Sequence, residues 1–218
     1  MPEDSSDNIW DEYDWERFLQ EQEKRTEKYM ELLEKYMDHP QRDEIIAREM
    51  GWTHLIGGET RDWEEEVEAG FEGEASEPES GGESGLAGMF AFENHPLYRK
   101  ALAFTSELDE IFGGLDEKVQ EHPATAALHS EATLVAAKLA AALNDDDVDE
   151  LGMSIAYLKR GVRAVTVALG AVSQLAEGKL IDPQRTELLN ARLFSIRDGI
   201  VTAMGEYRAE FRRRYGAH

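Results

Sequence analysis

The stretch from Val148 to Ala176, VDELGMSIAYLKRGVRAVTVALGAVSQLA, places its apolar residues at alternating steps of three and four. The residues of this stripe are Val148, Leu151, Ile155, Leu158, Val162, Val165, Leu169, Val172 and Ala176. Such alternation keeps one apolar stripe on a single helix face, and it is the spacing found in helices that pack side by side. The stretch therefore predicts a long amphipathic helix with partners along its length.

Three further stripes with the same spacing occur in the second half of the chain. They are Leu97, Ala101, Phe104, Leu108, Ile111, Leu115; Leu128, Ala132, Val135, Leu139, Ala142; and Leu189, Leu193, Ile196, Ile200, Ala203, Tyr207. His95-Pro96, His122-Pro123 and Asp182-Pro183 precede them, and proline is favoured in the first turn of a helix. Because short polar breaks join the stripes, the sequence predicts an all-α fold with an antiparallel up-down four-helix bundle over residues 94–218.

The four predicted helices differ in length. The last two run for about 30 residues and the first two for about 20, a difference of roughly 15 Å. We expect the end of the long hairpin to lack cover from the shorter helices. The apolar residues there are Val172, Leu175, Leu180, Leu188 and Leu189. They predict an interface with the N-terminal helices, with residues 115–121 or with a second copy.

Two more helices are predicted in the N-terminal segment, residues 1–56, at about residues 10–37 and 40–50. Within the first, Glu21–Arg25 and Glu31–Lys35 have the i,i+4 spacing of helical ion pairs. Asp38 is the expected cap of the second, with Pro40 in its first turn.

Residues 57–93 have the composition of an acidic linker rich in glycine, serine and glutamate. Residues 1–94 carry 28 acidic and 8 basic residues, whereas residues 95–218 are nearly balanced, in a chain with a net charge of −23. A polyanion repels phosphate backbones and attracts cationic surfaces. The charge predicts either a protein partner with a basic surface or self-association into a homo-oligomer, and no direct binding to nucleic acid.

The motifs of common catalytic and metal sites are missing from the sequence. It has no cysteine, no Glu-x-x-His, no Gly-x-Ser-x-Gly and no glycine-rich phosphate loop. The histidines of His39-Pro40, His95-Pro96 and His122-Pro123 are interpreted as parts of helix starts rather than metal ligands. No catalytic, cofactor-binding or metal-ligating residue and no cofactor is therefore predicted, and enzymatic activity is left open but not favoured. Charges such as Lys159 and Arg192 interrupt the helices, so we expect no membrane span and a cytoplasmic location.

The residues predicted to make interactions combine aromatic anchors with one cationic patch. They are Trp10, Trp15, Trp52, Trp63, Phe71, Arg208, Arg212, Arg213 and Arg214. Tryptophan is enriched at the centres of interfaces, although the same side chains could instead attach the N-terminal helices to the bundle. The arginines are expected to meet the acidic run Glu64–Glu68 of the linker.

The sequence thus favours a non-enzymatic interaction or scaffold protein that uses its polyanionic, tryptophan-containing N-terminal region. Two alternatives stay open. One is an enzyme or a small-molecule or metal-binding bundle with a pocket between its helices. The other is an acidic mimic of nucleic acid that occupies a nucleic-acid-binding protein.

Overall fold

Helices make up all the regular structure in the described part of the chain. The computed structural model describes residues 9–52, 91–144 and 150–216, and no strand occurs within these ranges. The elements are α1 (Glu12–Tyr36), α2 (Arg42–Glu49), a 3₁₀ helix (Ala91–Asn94), α3 (Pro96–Gly113), α4 (Glu117–Gln120), α5 (Pro123–Ala142), α6 (Leu151–Glu177) and α7 (Pro183–Tyr215). The predicted all-α class is confirmed for these residues.

The chain divides into two units. Residues 1–16 and 83–218 form the first unit, and residues 17–82 form the second. Helix α1 crosses the boundary, so its first turn belongs to the first unit and the rest of it to the second.

Helices α3, α5, α6 and α7, which we call the helical core, share one buried hydrophobic cluster in the first unit. Helix α5 packs on α3 and α6, and α7 packs on α6 and α3. The stripe residues of α5 are all buried, and the described stripe residues of the other three helices are buried or half-buried. The 3-4 spacing therefore identified the inward faces correctly, and only Val148 lies outside the described residues.

The helix starts follow the predicted caps, with one exception. His95 Nδ1 accepts a hydrogen bond from the Leu97 N–H at 3.2 Å, and His122 Nδ1 accepts one from the Ala124 N–H at 3.1 Å. Asp182 caps α7 by accepting from the Arg185 N–H at 2.8 Å. The prediction of Asp38 as a cap is wrong: α2 begins only at Arg42, after a turn in which His39 Nδ1 accepts from the Gln41 N–H.

Helices α3 and α7 run in opposite directions with a defined register. Leu97 lies against Gly199, where an added Cβ atom would come within 2.6 Å of Leu97 Cδ1. Lys100 Nζ donates to Ser195 Oγ at 3.0 Å, farther toward the start of α7. Since α3 begins opposite Gly199, the last four turns of α7, about 24 Å, extend beyond the start of α3.

Most of the apolar residues at the end of the α6–α7 hairpin are buried. Val172, Leu175 and Leu189 are fully buried, and only Leu188, at 42% exposure, is open to solvent. Buried Val119 of α4 belongs to the same hydrophobic cluster, and it lies within residues 115–121, one of the covers that the sequence predicted. The overhang created by unequal helix lengths lies instead at the opposite end, along the last turns of α7.

Replacing His122 by alanine should lower the free energy of unfolding by about 0.5–2 kcal/mol, because the start of α5 loses its side-chain acceptor. Asparagine offers an oxygen in a similar position and should retain most of the stability. Urea unfolding of both variants at neutral pH measures the difference. Equal stability of the two variants would show that the Nδ1 bond contributes nothing.

Candidate interaction surfaces

Helix α1 begins with a reciprocal cap that the sequence analysis missed. Asp11 Oδ1 accepts hydrogen bonds from the backbone N–H groups of Tyr13 and Asp14, at 2.7 and 2.9 Å. The side chain of Asp14 reaches back to the Asp11 N–H at 3.4 Å. This is the capping-box arrangement with aspartate in both positions, and it fixes the first turn of α1.

The first turn of α1 and the residues before it lie directly on the start of α6. An added Cβ atom at Gly152 would overlap the carbonyl oxygen of Trp10 and would lie 2.9 Å from Trp15 Cδ1. Only glycine leaves room for a backbone at this distance. We call residues 10–16 the N-terminal docking segment.

Two arginine–glutamate pairs hold the docking segment on α6 and α7. Arg208 Nη2 lies 2.8 Å from Glu12 Oε2, and Arg160 Nε lies 3.1 Å from Glu16 Oε2. The Glu12 and Arg160 side chains are only 13% and 12% exposed. Such partly buried pairs are screened less by salt than exposed ones, and removing one partner leaves a poorly solvated charge.

Aromatic contacts complete this docking. The rings of Trp10 and Trp15 meet edge to face with centroids 5.0 Å apart. Lys159 Nζ lies 4.5 Å from the centre of the Tyr13 ring and 4.0 Å from Glu12 Oε2. Two of the four predicted tryptophan anchors are thus used within the first unit, as the intramolecular alternative proposed.

Trp52 has a different role, in the second unit. Its ring lies 5.8 Å from that of Tyr29, and the Arg25 guanidinium stacks over it at 5.4 Å. Lys28 Nζ donates to the Glu49 carbonyl at 2.6 Å, which joins α1 to the end of α2. Trp52 is half-buried and holds the α1–α2 hairpin together.

Beside this contact with Trp52, α1 carries an exposed groove, which we call the Met30 groove. Its lining residues are Glu27, Met30, Glu31, Leu33, Glu34 and Met37, and its volume is about 500 Å³. Met30 and Met37 are 54% and 59% exposed, and no residue of α1 is fully buried. The predicted pairs Glu21–Arg25 and Glu31–Lys35 do not form, because Arg25 and Lys35 lie over the Trp52 and Tyr36 rings instead.

The predicted arginine patch at the end of α7 is divided between two carboxylates. Arg208 pairs with Glu12 of the docking segment, whereas Arg213 and Arg214 both pair with Glu210. The hydrogen bond from Arg213, followed by that from Arg214, lowers the pKa of Glu210 to about 2. Arg212 is exposed.

Trp63, Phe71 and the acidic run Glu64–Glu68 lie outside the described residues. Their predicted contacts, including the one between this run and the α7 arginines, remain predictions.

Two other places in the described residues could take part in ligand binding, a cavity and a histidine–aspartate pair. A cavity of about 580 Å³ at the α6–α7 hairpin is lined by Ala176, Ile181, Pro183, Thr186, Glu187, Asn190, Ala191 and Phe194. His129 Nδ1 lies 3.5 Å from Oδ1 of the exposed Asp109 side chain. Among the described residues, no cluster of histidine, aspartate and glutamate has the geometry of a metal site. No helix in the same ranges is long and apolar enough to cross a membrane.

Sequence reasoning missed both the Gly152 contact and the Met30 groove. The role of Gly152 depends on a segment more than 130 residues away in the chain, so the sequence around it does not indicate the contact. On α1, Tyr29, Leu32, Leu33 and Tyr36 are half-buried, whereas Met30 and Met37 are exposed. The sequence feature that could have indicated the groove is the 3-4 spacing of Met30, Leu33 and Met37 next to glutamates.

Comparisons of the chain with family models, with curated proteins and with solved structures find no match.

Substituting Gly152 by alanine should displace the docking segment from α6, because the new Cβ atom overlaps the Trp10 carbonyl. Amide hydrogen exchange of residues 10–16 should accelerate, and the variant should not gain the roughly 1 kcal/mol that alanine normally adds in a helix.

The matched control is Gly170→Ala in the same helix, where an added Cβ atom meets nothing within 4 Å. This variant should gain up to about 1 kcal/mol of stability and keep the wild-type exchange of residues 10–16. Identical exchange in both variants would contradict the role of Gly152.

The Glu210 carboxyl should titrate near pH 2 rather than near its ordinary value of 4.5. Because the folded-state pKa is lowered, the stabilisation from Glu210 is present above about pH 4.5 and is lost as the pH falls toward 2. An NMR titration of the side-chain carboxyl carbon measures the pKa directly. In an Arg213→Gln, Arg214→Gln variant it should return toward 4.5, and an unchanged low value would mean that these arginines are not its cause.

Proposed function

We propose that this protein is a non-enzymatic interaction protein whose acidic N-terminal region contacts a basic surface of a protein partner. The α1–α2 hairpin of the second unit supplies the contact. The observation that carries this proposal is the Met30 groove, where two exposed methionines and Leu33 lie beside three glutamates.

The composition of the groove suits recognition of a cationic, partly apolar surface. Methionine side chains are flexible and polarizable and adapt to different partner shapes. Carboxylates at the rim speed encounter with a basic partner and disfavour acidic ones. Glu27, Glu31 and Glu34 have no ion pair within the described ranges, so their charges are available to a partner.

The architecture that we infer for the chain is an antiparallel up-down four-helix bundle over residues 94–218, preceded by two helices and an acidic linker at 57–93. The opposite directions of α3 and α7 support it, as does the packing of each core helix on its neighbours in sequence. Cytoplasmic location remains the expectation from the sequence, and Trp63 and Phe71 remain candidate anchors.

A second candidate function is small-molecule binding at the α6–α7 hairpin. One observation favours it: the cavity there combines apolar Ile181 and Phe194 with polar Thr186 and Asn190. Ligand pockets have this mixture of apolar walls and a few polar groups. Chemical-shift changes confined to these residues on screening small aromatic compounds would support this candidate.

The test of the interaction proposal compares two variants with equal charge change. In one, Glu27, Glu31 and Glu34 become glutamine. In the other, Glu110, Glu121 and Glu206, which are exposed on the first unit, become glutamine.

Partners retained from native cytoplasm by the full-length protein are identified by mass spectrometry. We expect basic proteins to be lost with the first variant, retained with the second, and released by salt, since exposed charges are screened over about 8–10 Å at physiological ionic strength. Equal retention by both variants would refute the assignment to the groove. Retention that depends on neither charge nor salt would refute the proposal as a whole.

A further inference from the structure

The Met30 groove has the register of a coiled-coil seam. Met30, Leu33 and Met37 follow each other at steps of three and four, the same alternation that defines the buried stripes of the helical core. Glu27 and Glu34 are seven residues apart, so they lie on one flank of this seam, one heptad from each other. A second helix laid along the seam would face both carboxylates.

The other flank of the seam is occupied by α1's contacts within the second unit. Tyr29 packs on Trp52, and Tyr36 meets His39 edge to face at 6.3 Å. The nearby cations are also engaged there, because Lys28 donates to the Glu49 carbonyl and Lys35 lies over Tyr36. The charge at the groove is therefore one-sided and negative.

We infer that the Met30 groove docks an amphipathic helix of a partner protein, with an apolar stripe against Met30, Leu33 and Met37 and basic residues against Glu27 and Glu34. This inference rests on the proposed function and specifies the form of its partner. Helices with an apolar face and a basic flank enter methionine-lined, acid-rimmed grooves by this mode of recognition.

The dimensions of the groove set the size of the docked helix. From Glu27 to Met37 the seam is about 15 Å long, so a helix of roughly three turns, about 11–14 residues, covers it. Lysine or arginine seven residues apart would match the Glu27–Glu34 spacing.

A second copy of this chain fits the groove less well than a basic helix. If two Met30 grooves faced each other, Glu27, Glu31 and Glu34 of both copies would border the same seam. Like charges across a helical interface oppose association. The charge of the groove thus selects a foreign basic helix over self-pairing.

The experiment titrates the full-length protein against fluorescent peptides of about 14 residues, followed by anisotropy. The first peptide carries leucines at heptad a and d positions and lysines on the flanks. The second has the same composition in scrambled order, and the third keeps the leucine stripe but replaces lysine by glutamate. Sedimentation of the protein alone monitors self-association.

Two protein variants localise the binding. Met30→Gln with Met37→Gln removes the apolar seam, while Leu102→Gln with Val201→Gln makes the same kind of change at exposed residues of the first unit. We expect the first peptide to bind the wild type and the control, and to bind the methionine variant about tenfold or more weakly, since part of two apolar side chains no longer leaves water. Helical circular dichroism should appear in the bound peptide.

Equal binding of the scrambled peptide would overturn the inference, because charge alone would then explain binding, while the proposed function would stand. Equal loss in both variants, binding of the acidic peptide, or a dimer abolished by the methionine substitutions would also overturn it. If no peptide binds but basic proteins are still lost with the Glu27, Glu31, Glu34 variant, the inference fails and the proposed function survives.

Discussion

Helix α6 needs cover along almost its whole length, and this requirement determines where the rest of the first unit lies. Its buried residues extend from Leu151 in the first turn to Leu175 in the last, so no single neighbour can satisfy it. Helix α5 covers one side, α7 another, and the docking segment covers the start, where Gly152 permits backbone contact. Since apolar burial is the main favourable term in folding, these contacts follow from one constraint.

The docking segment packs on the part of α6 and α7 that α3 does not reach. With α3 beginning opposite Gly199, the last turns of α7 and the first turns of α6 have no cover from α3. The docking segment brings aromatic surface to this region together with two carboxylates, and Arg160 and Arg208 receive them. The sequence suggested that tryptophans and glutamates of this region contact a partner. Trp10, Trp15, Glu12 and Glu16 instead make contacts within the first unit.

Local features could be predicted from the sequence, whereas features that depend on register could not. The stripes and the Pro-containing caps are set by residues within one or two turns of each other, and His95, His122 and Asp182 behave as expected. The location of the overhang depends on how α3 aligns with α7, and that alignment rests on contacts such as Leu97 with Gly199, about 100 residues apart. Helix lengths alone therefore placed the overhang at the α6–α7 hairpin, whereas it lies along the last turns of α7.

The same distinction explains why the Met30 groove was not foreseen. Tyr29 and Met30 are neighbours on α1 and both are apolar in large part, yet only the tyrosine side meets Trp52. Which of these two adjacent strips is covered depends on α2, whose cap the sequence analysis wrongly placed at Asp38.

A helix with no fully buried residue is marginal by itself, because forming its first turn is unfavourable and few contacts offset that cost. In α1 the first turn is fixed from outside, by the Asp11–Asp14 cap and by the ion pairs of Glu12 and Glu16. Farther along, Tyr29 and Lys28 fasten the helix to α2 and to Trp52. Helix formation is cooperative, so order set at these two places extends through the residues between and beyond them. The strip from Glu27 to Met37 can then stay helical while its apolar side chains face water.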